Sequence, residues 1–441
     1  MASTDLMDKL VSLSKRRGYV FQSSEIYGGT GSVWDYGPLG VELKRNIRDL
    51  WWREMVHMRD DVEGLDAAIL MHPRTWEASG HVEGFTDPLV ECSNCHRRFR
   101  ADLPEVEGGQ CPSCGTRAAF GEARQFNLMF RTFMGPAEDS ASTIYLRPET
   151  AQGIFVNFQN VVTASRQKVP FGIAQIGKAF RNEITPGNFI FRTREFEQAE
   201  MQFFVEPGTD EAWFEHWKAA RMAFHRGLGL NPDKLRFHEH GPDELAHYAK
   251  RAYDIEYEFP FGWKEFEGIH NRTDFDLSRH QEYSGKRMEY IDPATNKRFI
   301  PWVIETSMGV DRTLLVVLAD AYREEAVAGE TEERVVLGLH PALAPLKAAV
   351  FPLVKKDGLP EIATRLHQEL RRAAIPSFYD AAGSIGRRYR RQDEAGTPWC
   401  VTVDGETAEA GTVTIRDRDS LAQERVPLEG VAQWIRDRLA R

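Results

Sequence analysis

The stretch GKAFRNEITPGNFIFRTREFEQAE, residues 177–200, decides how this chain is read. Two strand-like runs flank a turn at Pro186-Gly187. Side chains alternate along a strand, so Arg192, Arg194, Phe196, Gln198 and Glu200 share one face, while Phe191, Thr193, Ala199, Met201 and Phe203 take the other. The second face is one that a sheet buries. The first suits a nucleotide: guanidinium groups for phosphates, a ring for base stacking, a carboxylate to accept from an amine. A half-buried strand with a solvated face would read the same on this segment alone, so the rest of the chain has to decide.

With 441 residues, 42% of them hydrophobic, the chain can build two or three domains, each with a core. No apolar run approaches the ~20 residues of a membrane span, and MASTDLMDKLVSLSKRRGYV reads as an amphipathic helix rather than a signal peptide. A cytoplasmic protein with no membrane partner is expected. The net charge of −10 opposes non-specific nucleic-acid binding, yet Arg387, Arg388, Arg390 and Arg391 form a local basic patch around Tyr389. Four of the five cysteines form Cys92-x2-Cys95 and Cys111-x2-Cys114, a zinc-ribbon spacing. Four thiolates leave no position for water, so a zinc ion held there is structural. Cys400, in TPWCVTVD, reads as a small buried hydrophobe.

Pro38 opens a helix with apolar positions at Leu43, Ile47, Leu50, Trp51, Met55 and Met58, a broad stripe fit for an internal core or a subunit interface. A metal module over 88–122 follows. Residues 207–262 read as a helical insertion, with helices expected at 211–227 and 243–251. Strands are expected at 254–259 and 298–307, then a turn at Gly309 and an apolar helix. The segment 324–336, EEAVAGETEERVV, is a charged connector, and the remainder alternates strand and helix as a separate α/β domain. On the strand RFIPWVIETSMGVDR, Val303, Glu305 and Ser307 face one way and Ile300, Trp302 and Ile304 the other. Gly309 lets a backbone approach a ligand, and Arg312 adds a guanidinium to a positive helix end, a natural polyphosphate site.

In order, the chain presents a proline-led helix, a strand-loop-strand with Phe-Arg-x-Glu and a strand-turn-helix with Gly-x-Asp-Arg. This resembles the three motifs of class II aminoacyl-tRNA synthetases. The segments YLRPETAQGIFVNF, FRNEITP, REFEQAE, GIHNRTDFDL, IETSMG and SIGRRYRRQDEAGTPWCVTVD are similar to the homodimeric glycyl-tRNA synthetase family, over nearly the whole chain. The resemblance implies an α/β (α+β) protein: an antiparallel-sheet catalytic core over 1–332 with an inserted zinc-ribbon-like module and a helical insertion, then an α/β anticodon-binding domain over 333–441. It implies attachment of glycine to tRNA(Gly) through glycyl-adenylate, with ATP converted to AMP and pyrophosphate.

The same resemblance assigns residues. ATP would be bound by Arg181, Asn182, Glu183, Phe191, Arg192, Arg194, Phe196, Glu265, Phe266, Gly309 and Arg312, with Arg181, Arg312 and Glu265 carrying catalysis beside Mg2+. Glycine would be bound by Arg100, Glu149, Phe196, Gln198, Glu200, Arg272, Glu305, Ser307 and Gly309. Carboxylates suit its ammonium, and a substrate without a side chain must be selected by refusing even a methyl group. The anticodon would meet Arg387, Arg388, Tyr389, Arg390 and Asp393, with Glu394 alongside. Cys92, Cys95, Cys111 and Cys114 would hold zinc, and the Pro38 helix would build a homodimer. Two alternatives stand beside this reading: another class II synthetase, and a non-catalytic synthetase-like subunit that binds nucleic acid. The second is expected to lack the motif arginines, which are present here.

Overall fold

The computed structural model describes residues 3–185, 187–326 and 333–439, so Pro186 of the expected turn and residues 327–332 of the charged connector lie outside the described residues. Helix α1 (Ser3–Arg17) closes with Lys15, Arg16 and Arg17, cations at the negative helix end. Helix α2 (Pro38–Trp52) opens with a proline, whose missing N–H costs nothing in a first turn. Its apolar stripe turns inward: Leu43, Ile47, Trp51 and, in the π-turn that follows, Met55 are buried in the chain's own core. Leu50 is half-buried and Met58 is exposed.

A seven-stranded sheet carries everything that follows. Its strands are β1 (Val62–Gly64), β2 (Phe171–Phe180), β3 (Glu195–Val205), β4 (Leu235–Glu239), β5 (Arg251–Phe259), β6 (Gly262–Thr273) and β7 (Trp302–Gly309). They lie in the order β4-β5-β6-β7-β3-β2-β1, antiparallel throughout except for β1 beside β2. Along β3 the period of two holds: Ala199, Met201 and Phe203 enter the main core, while Phe196, Gln198 and Glu200 face the opposite way into a cavity. The helices packed on the sheet are α3 (Asp210–Gly227), α4 (Phe275–Ser284) and α5 (Val310–Ala321). Helix α5 is apolar nearly all round and is buried accordingly.

Several expectations need correction. Residues 207–262 are not a helical insertion throughout: α3 fulfils 211–227, but 243–251 forms no helix, and β4 and β5 extend the seven-stranded sheet. The apolar spacing of 243–251 is spent on tertiary contacts, with His247 against Phe275 and Tyr248 against Arg272, so local periodicity is overridden. The strand expected over 298–307 is broken at Pro301, which cannot donate to a ladder. Arg298–Phe299 pairs with Tyr290–Ile291, and β7 starts afterwards. Gly309 ends β7 with φ −76°, so no glycine-only turn exists there. The two flanks of the charged connector pair with each other, Tyr322–Glu325 antiparallel to Arg334–Leu337.

The C-terminal part has a mixed five-stranded sheet built from β8 (Ala348–Pro352), β9 (Ser377–Tyr379), β10 (Trp399–Val403), β11 (Thr412–Asp417) and β12 (Gln423–Pro427), in the order β9-β8-β10-β11-β12. Helices α6 (Leu359–Arg372), α7 (Ile385–Glu394) and α8 (Val431–Leu439) accompany it. Strand β8 is parallel to both neighbours, as expected of a strand-helix-strand unit. This part has its own core around Val350, Leu366 and Val401. Leu337, Leu339, Leu343 and Ala344 belong to the main core instead, so the packing divides later than the expected 332/333 boundary. Among the described residues, no helix is long and apolar enough to cross a membrane.

Candidate active site

One cavity, of about 190 Å³, opens on the face of β3, β6 and β7 and gathers most of the residues singled out from the sequence. At one end stand two arginines, each over a ring. Arg181, just past β2, donates from Nε to the Pro148 carbonyl at 3.1 Å, and its guanidinium lies 5.2 Å from the Phe196 ring. Arg312, in the first turn of α5, lies 4.4 Å over the Phe191 ring. It donates to the Phe191 carbonyl at 3.1 Å and to the Glu265 carboxylate at 3.2 Å. Partial burial pushes the Glu265 carboxyl up, but Arg312, His270 and Arg181 together outweigh it and hold the group below its usual range. Glu183, Arg192, Phe266 and Gly309 complete this end. Arg192 Nε is 4.0 Å from the Glu183 carboxylate.

At the other end three carboxylates converge. Glu200 is buried and accepts from Thr150, from Gln198 Nε2 at 3.0 Å and from Ser307 Oγ at 2.6 Å. Burial first, then the charges of Glu305 and Glu149, raise its pKa to about 7. Glu305 is equally buried, yet Arg272 and His270 overcome that burial and lower its pKa to about 2. Arg272 Nη1 donates to both Glu305 oxygens at 3.2 Å, Gln202 donates to Glu305 at 2.8 Å, and His270 Nδ1 lies 2.8 Å away, off the line of a straight hydrogen bond. Glu149, also against the push of burial, is held well below the carboxylate range by His81, 3.4 Å away, and by Arg272. Arg272 is locked by Asp276, donating to its two oxygens at 2.8 and 2.9 Å. Most of its N–H groups therefore serve protein carboxylates, which fits a counter-ion better than the direct glycine ligand expected of it.

In the wall of the cavity, Asp311 accepts from the Glu197 backbone at 2.6 Å, from Lys44 at 2.7 Å and from the Tyr36 hydroxyl. Lys44 also lies 3.4 Å from the Glu197 carboxylate, and Arg48 reaches it at 3.5 Å. Helix α2 is thus ion-paired to β3 and to the start of α5.

Three expected ligands do not line the cavity. Arg194 donates to the carbonyls of Gly31 at 2.7 Å and Glu183 at 3.1 Å, so it ties a glycine-rich loop to the loop after β2. Asn182 contributes its backbone N–H to the Leu128 carbonyl. Arg100 pairs with Asp87 at 3.1 Å and Asp102 at 2.6 Å. The strand parity also fails before Glu195: Phe189–Phe191 is a short helical turn, and Phe191 and Arg192 both reach the cavity from supposedly opposite faces. The anticodon set fares similarly. Arg388 is buried and donates to the Pro352 carbonyl at 2.6 Å, Tyr389 bonds Thr402 at 2.7 Å, and buried Asp393 pairs with Arg416 at 2.9 Å and Arg334 at 3.3 Å. Glu394 pairs with Arg17 at 2.6 Å. Arg387 remains exposed and Arg390 half-buried.

The cavity also contains residues that the sequence reading passed over. His270 is two positions from Arg272 on one strand, so the same parity would have found it. Glu197 and Asp311 adjoin residues already chosen. Tyr248 lies in the irregular segment 241–250 and had no local signal.

The cysteines assemble at a distance from these groups in a three-stranded sheet of Thr86–Glu91, Arg98–Arg100 and Arg124–Asn127, so the module is wider than 88–122. Each pair sits in a tight turn, closed by His96 N–H to the Cys92 carbonyl and Gly115 N–H to the Cys111 carbonyl, both 2.9 Å. The four sulfurs lie within 4.8 Å of one another, with 3.7 Å from Cys92 to Cys114 and 3.6 Å from Cys95 to Cys111. A Zn–S bond of ~2.3 Å gives a tetrahedral edge of ~3.8 Å, so four thiolates so placed could hold zinc.

Comparison with known proteins agrees with this geometry. Residues 133–321 match the tRNA synthetase class II core domain (G, H, P, S and T), and residues 347–438 match the anticodon binding domain. A glycine–tRNA ligase of Treponema denticola is 60% identical over 96% of this chain and 94% of its own length. Those of Thermobifida fusca (54%, covering 100% and 99%) and Borreliella burgdorferi (55%, covering 98% and 97%) are also similar along their whole lengths. With its motif arginines in one cavity and its carboxylates converging beside them, the chain belongs to the glycine–tRNA ligases, class II synthetases that aminoacylate tRNA(Gly).

Proposed function

We propose that the cavity forms glycyl-adenylate, with glycine at the carboxylate end and ATP at the arginine end. The observation that carries this is the convergence of Glu149, Glu200 and Glu305 a short way from two guanidinium groups that each rest on a ring. Glu200, Glu305 and Ser307 receive the ammonium, while Gln198 orients Glu200. Arg181 holds the α-phosphate and the carboxylate that attacks it, Arg312 the γ-phosphate, Phe196 the adenine ring and Glu183 its amine. No enzymic nucleophile is needed. The carboxylate of glycine attacks the α-phosphate and pyrophosphate leaves; a terminal ribose hydroxyl of tRNA then attacks the acyl carbon, loses its proton, and AMP leaves. Catalysis is positioning and charge stabilisation.

Glu265 supplies an anionic oxygen beside Arg312, where it would meet Mg2+ arriving on the triphosphate, an ion that spreads the charge building on the leaving oxygens. Zinc in the four-cysteine cluster would tie the ends of its module together. Val41 and Met58, exposed on and just beyond α2, support a homodimer through that region. Arg387, with exposed Phe378 on β9, supports contact with unpaired anticodon bases. The cytoplasm is the compartment where such a reaction is needed. ATP–pyrophosphate exchange with each amino acid in turn tests the whole reading: exchange is expected with glycine alone. Exchange supported equally by alanine, or by none of the twenty, would overturn it.

A further inference from the structure

The groups at the amino-acid end of the cavity recognise what every amino acid has. Three carboxylates answer an ammonium, and none of them measures a side chain. Distinguishing glycine from alanine needs a surface that refuses a methyl group and cannot move aside, since favourable contacts with one methylene are worth only ~1–3 kcal/mol.

Four phenylalanine or tyrosine rings line the cavity. Phe191 lies under Arg312 and Phe196 beside Arg181, both at the nucleotide end, and Phe266 adjoins Glu265 there. Tyr248 is the ring at the other end. Its guanidinium neighbour is Arg272, 3.8 Å from the ring centre, and the charges that act on its hydroxyl are Arg272, Glu305, Glu149 and Asp276. The ring is also fixed. Arg272 is pinned by Asp276 and Glu305 on its edges and faces Phe155 at 5.4 Å. The segment that carries Tyr248 is fastened by His247 against Phe275 and by the Lys250 N–H to the Asn271 carbonyl at 2.8 Å.

The geometry points to Tyr248 as a specificity-determining residue, a rigid wall that closes the amino-acid end of the cavity against any side chain. The wall is the ring itself. Burial keeps the phenol protonated far above neutral pH, so it adds no charge among the carboxylates. Gly268, on the neighbouring strand, extends the same logic: a Cβ there would come within 2.6 Å of the His270 ring, so the bare backbone leaves His270 its place beside Glu305.

This inference rests on glycine occupying the carboxylate end, and its test separates the two claims. Pyrophosphate exchange is measured with glycine and with alanine on the parent chain, Tyr248→Phe, Tyr248→Ala and Glu305→Gln. Tyr248→Ala is expected to raise the alanine-to-glycine ratio of kcat/KM by ~10-fold or more, and Tyr248→Phe to keep the parent ratio within about twofold. A merely structural tyrosine would lower both substrates together and leave the ratio where it was, which overturns the proposal. Glu305→Gln is expected to raise the glycine KM. If it does while the Tyr248→Ala ratio stays flat, Tyr248 alone is wrong; if it leaves the KM untouched, the placement of glycine falls and the wall with it. Should Tyr248→Ala not fold, Tyr248→Leu carries the same comparison.

Discussion

Glu200 shows what one residue contributes in this cavity. Its carboxyl pKa stands at about 7 because burial and two neighbouring carboxylates disfavour the charge, even with hydrogen bonds from Ser307 and Thr150. An arriving ammonium reverses that balance and drives the proton off. The glycine KM is therefore expected to fall as pH rises from 6 to 8, and Glu200→Gln to flatten that profile. Stability runs the other way. A folded pKa raised above its ordinary 4.5 gives stability that is present below that value and lost as pH climbs through about 7, at most about 3 kcal/mol. Glu200→Gln should unfold at a higher temperature than the parent at pH 8 and show no such gain at pH 5. Calorimetry at the two pH values decides this, and a gain of equal size at both would refute it. The identity of Glu200 as a cavity residue was legible from strand parity, and so was Glu305. Their opposite pKa values were not, because Arg272 and His270 come to Glu305 from another strand, while Glu200 takes its hydrogen bonds from neutral side chains and feels Glu305 and Glu149 more strongly than Arg147.

At the level of elements, what the sequence made legible was what repeats locally. The period of two along β3 and β7 put Glu200, Glu305 and Ser307 on the cavity face, though Val303 on that face packs into a second core, and the stripe of α2 marked a helix. What failed was geometry without a period: the loop between β2 and β3, where Arg194 turns to carbonyls, and the segment 241–250, whose apolar residues imitate a helix. The polar face of α2 was equally silent, yet it does much to hold the site. Lys44 is 13% exposed and lies between two nearly buried carboxylates, Asp311 and Glu197. Removing one partner of such a set leaves uncompensated charge and costs ~3–5 kcal/mol. Lys44→Met is thus expected to lower unfolding stability by that amount and to slow pyrophosphate exchange, because Asp311 also holds the first turn of α5 from which Arg312 projects. Its neighbour Arg45, 63% exposed and only loosely paired with Glu42 at 4.0 Å, gives the control. Arg45→Met should change stability by less than ~1 kcal/mol. Equal midpoints in denaturant for the two variants would show that the Lys44 pair carries nothing.

Across the whole molecule, two cores are joined by charged groups that the sequence presented as a surface. The run Arg387–Arg391 looked like one RNA-binding patch, since a string of arginines on a helix is ordinarily solvated. Helix α7 instead turns part of it inward. Arg388 goes to backbone carbonyls, Arg391 to Asp380 at 2.5 Å, and Asp393 joins Arg416 to Arg334, which opens the strand Arg334–Leu337 that ends in the main core. Tyr19 and Arg17 reach the same corner, bonding the Ala395 carbonyl at 3.0 Å and Glu394 at 2.6 Å. The inward residues of this helix brace the two cores, and, with the RNA contact proposed for Arg387, substitutions along it should sort into two kinds. Arg387→Ala is expected to lower kcat/KM for tRNA in aminoacylation by roughly five- to tenfold, the size of a ~1 kcal/mol contact, while pyrophosphate exchange, which uses no tRNA, stays at the parent rate. Asp393→Ala strips buried Arg416 of its carboxylate, takes from Arg334 one of the two it shares with Glu325, and should cost ~3–5 kcal/mol of stability, read as a lower unfolding midpoint. If Arg387→Ala lowers exchange and aminoacylation together, or Asp393→Ala unfolds at the parent's midpoint, the division of α7 into an outward RNA face and an inward brace is wrong.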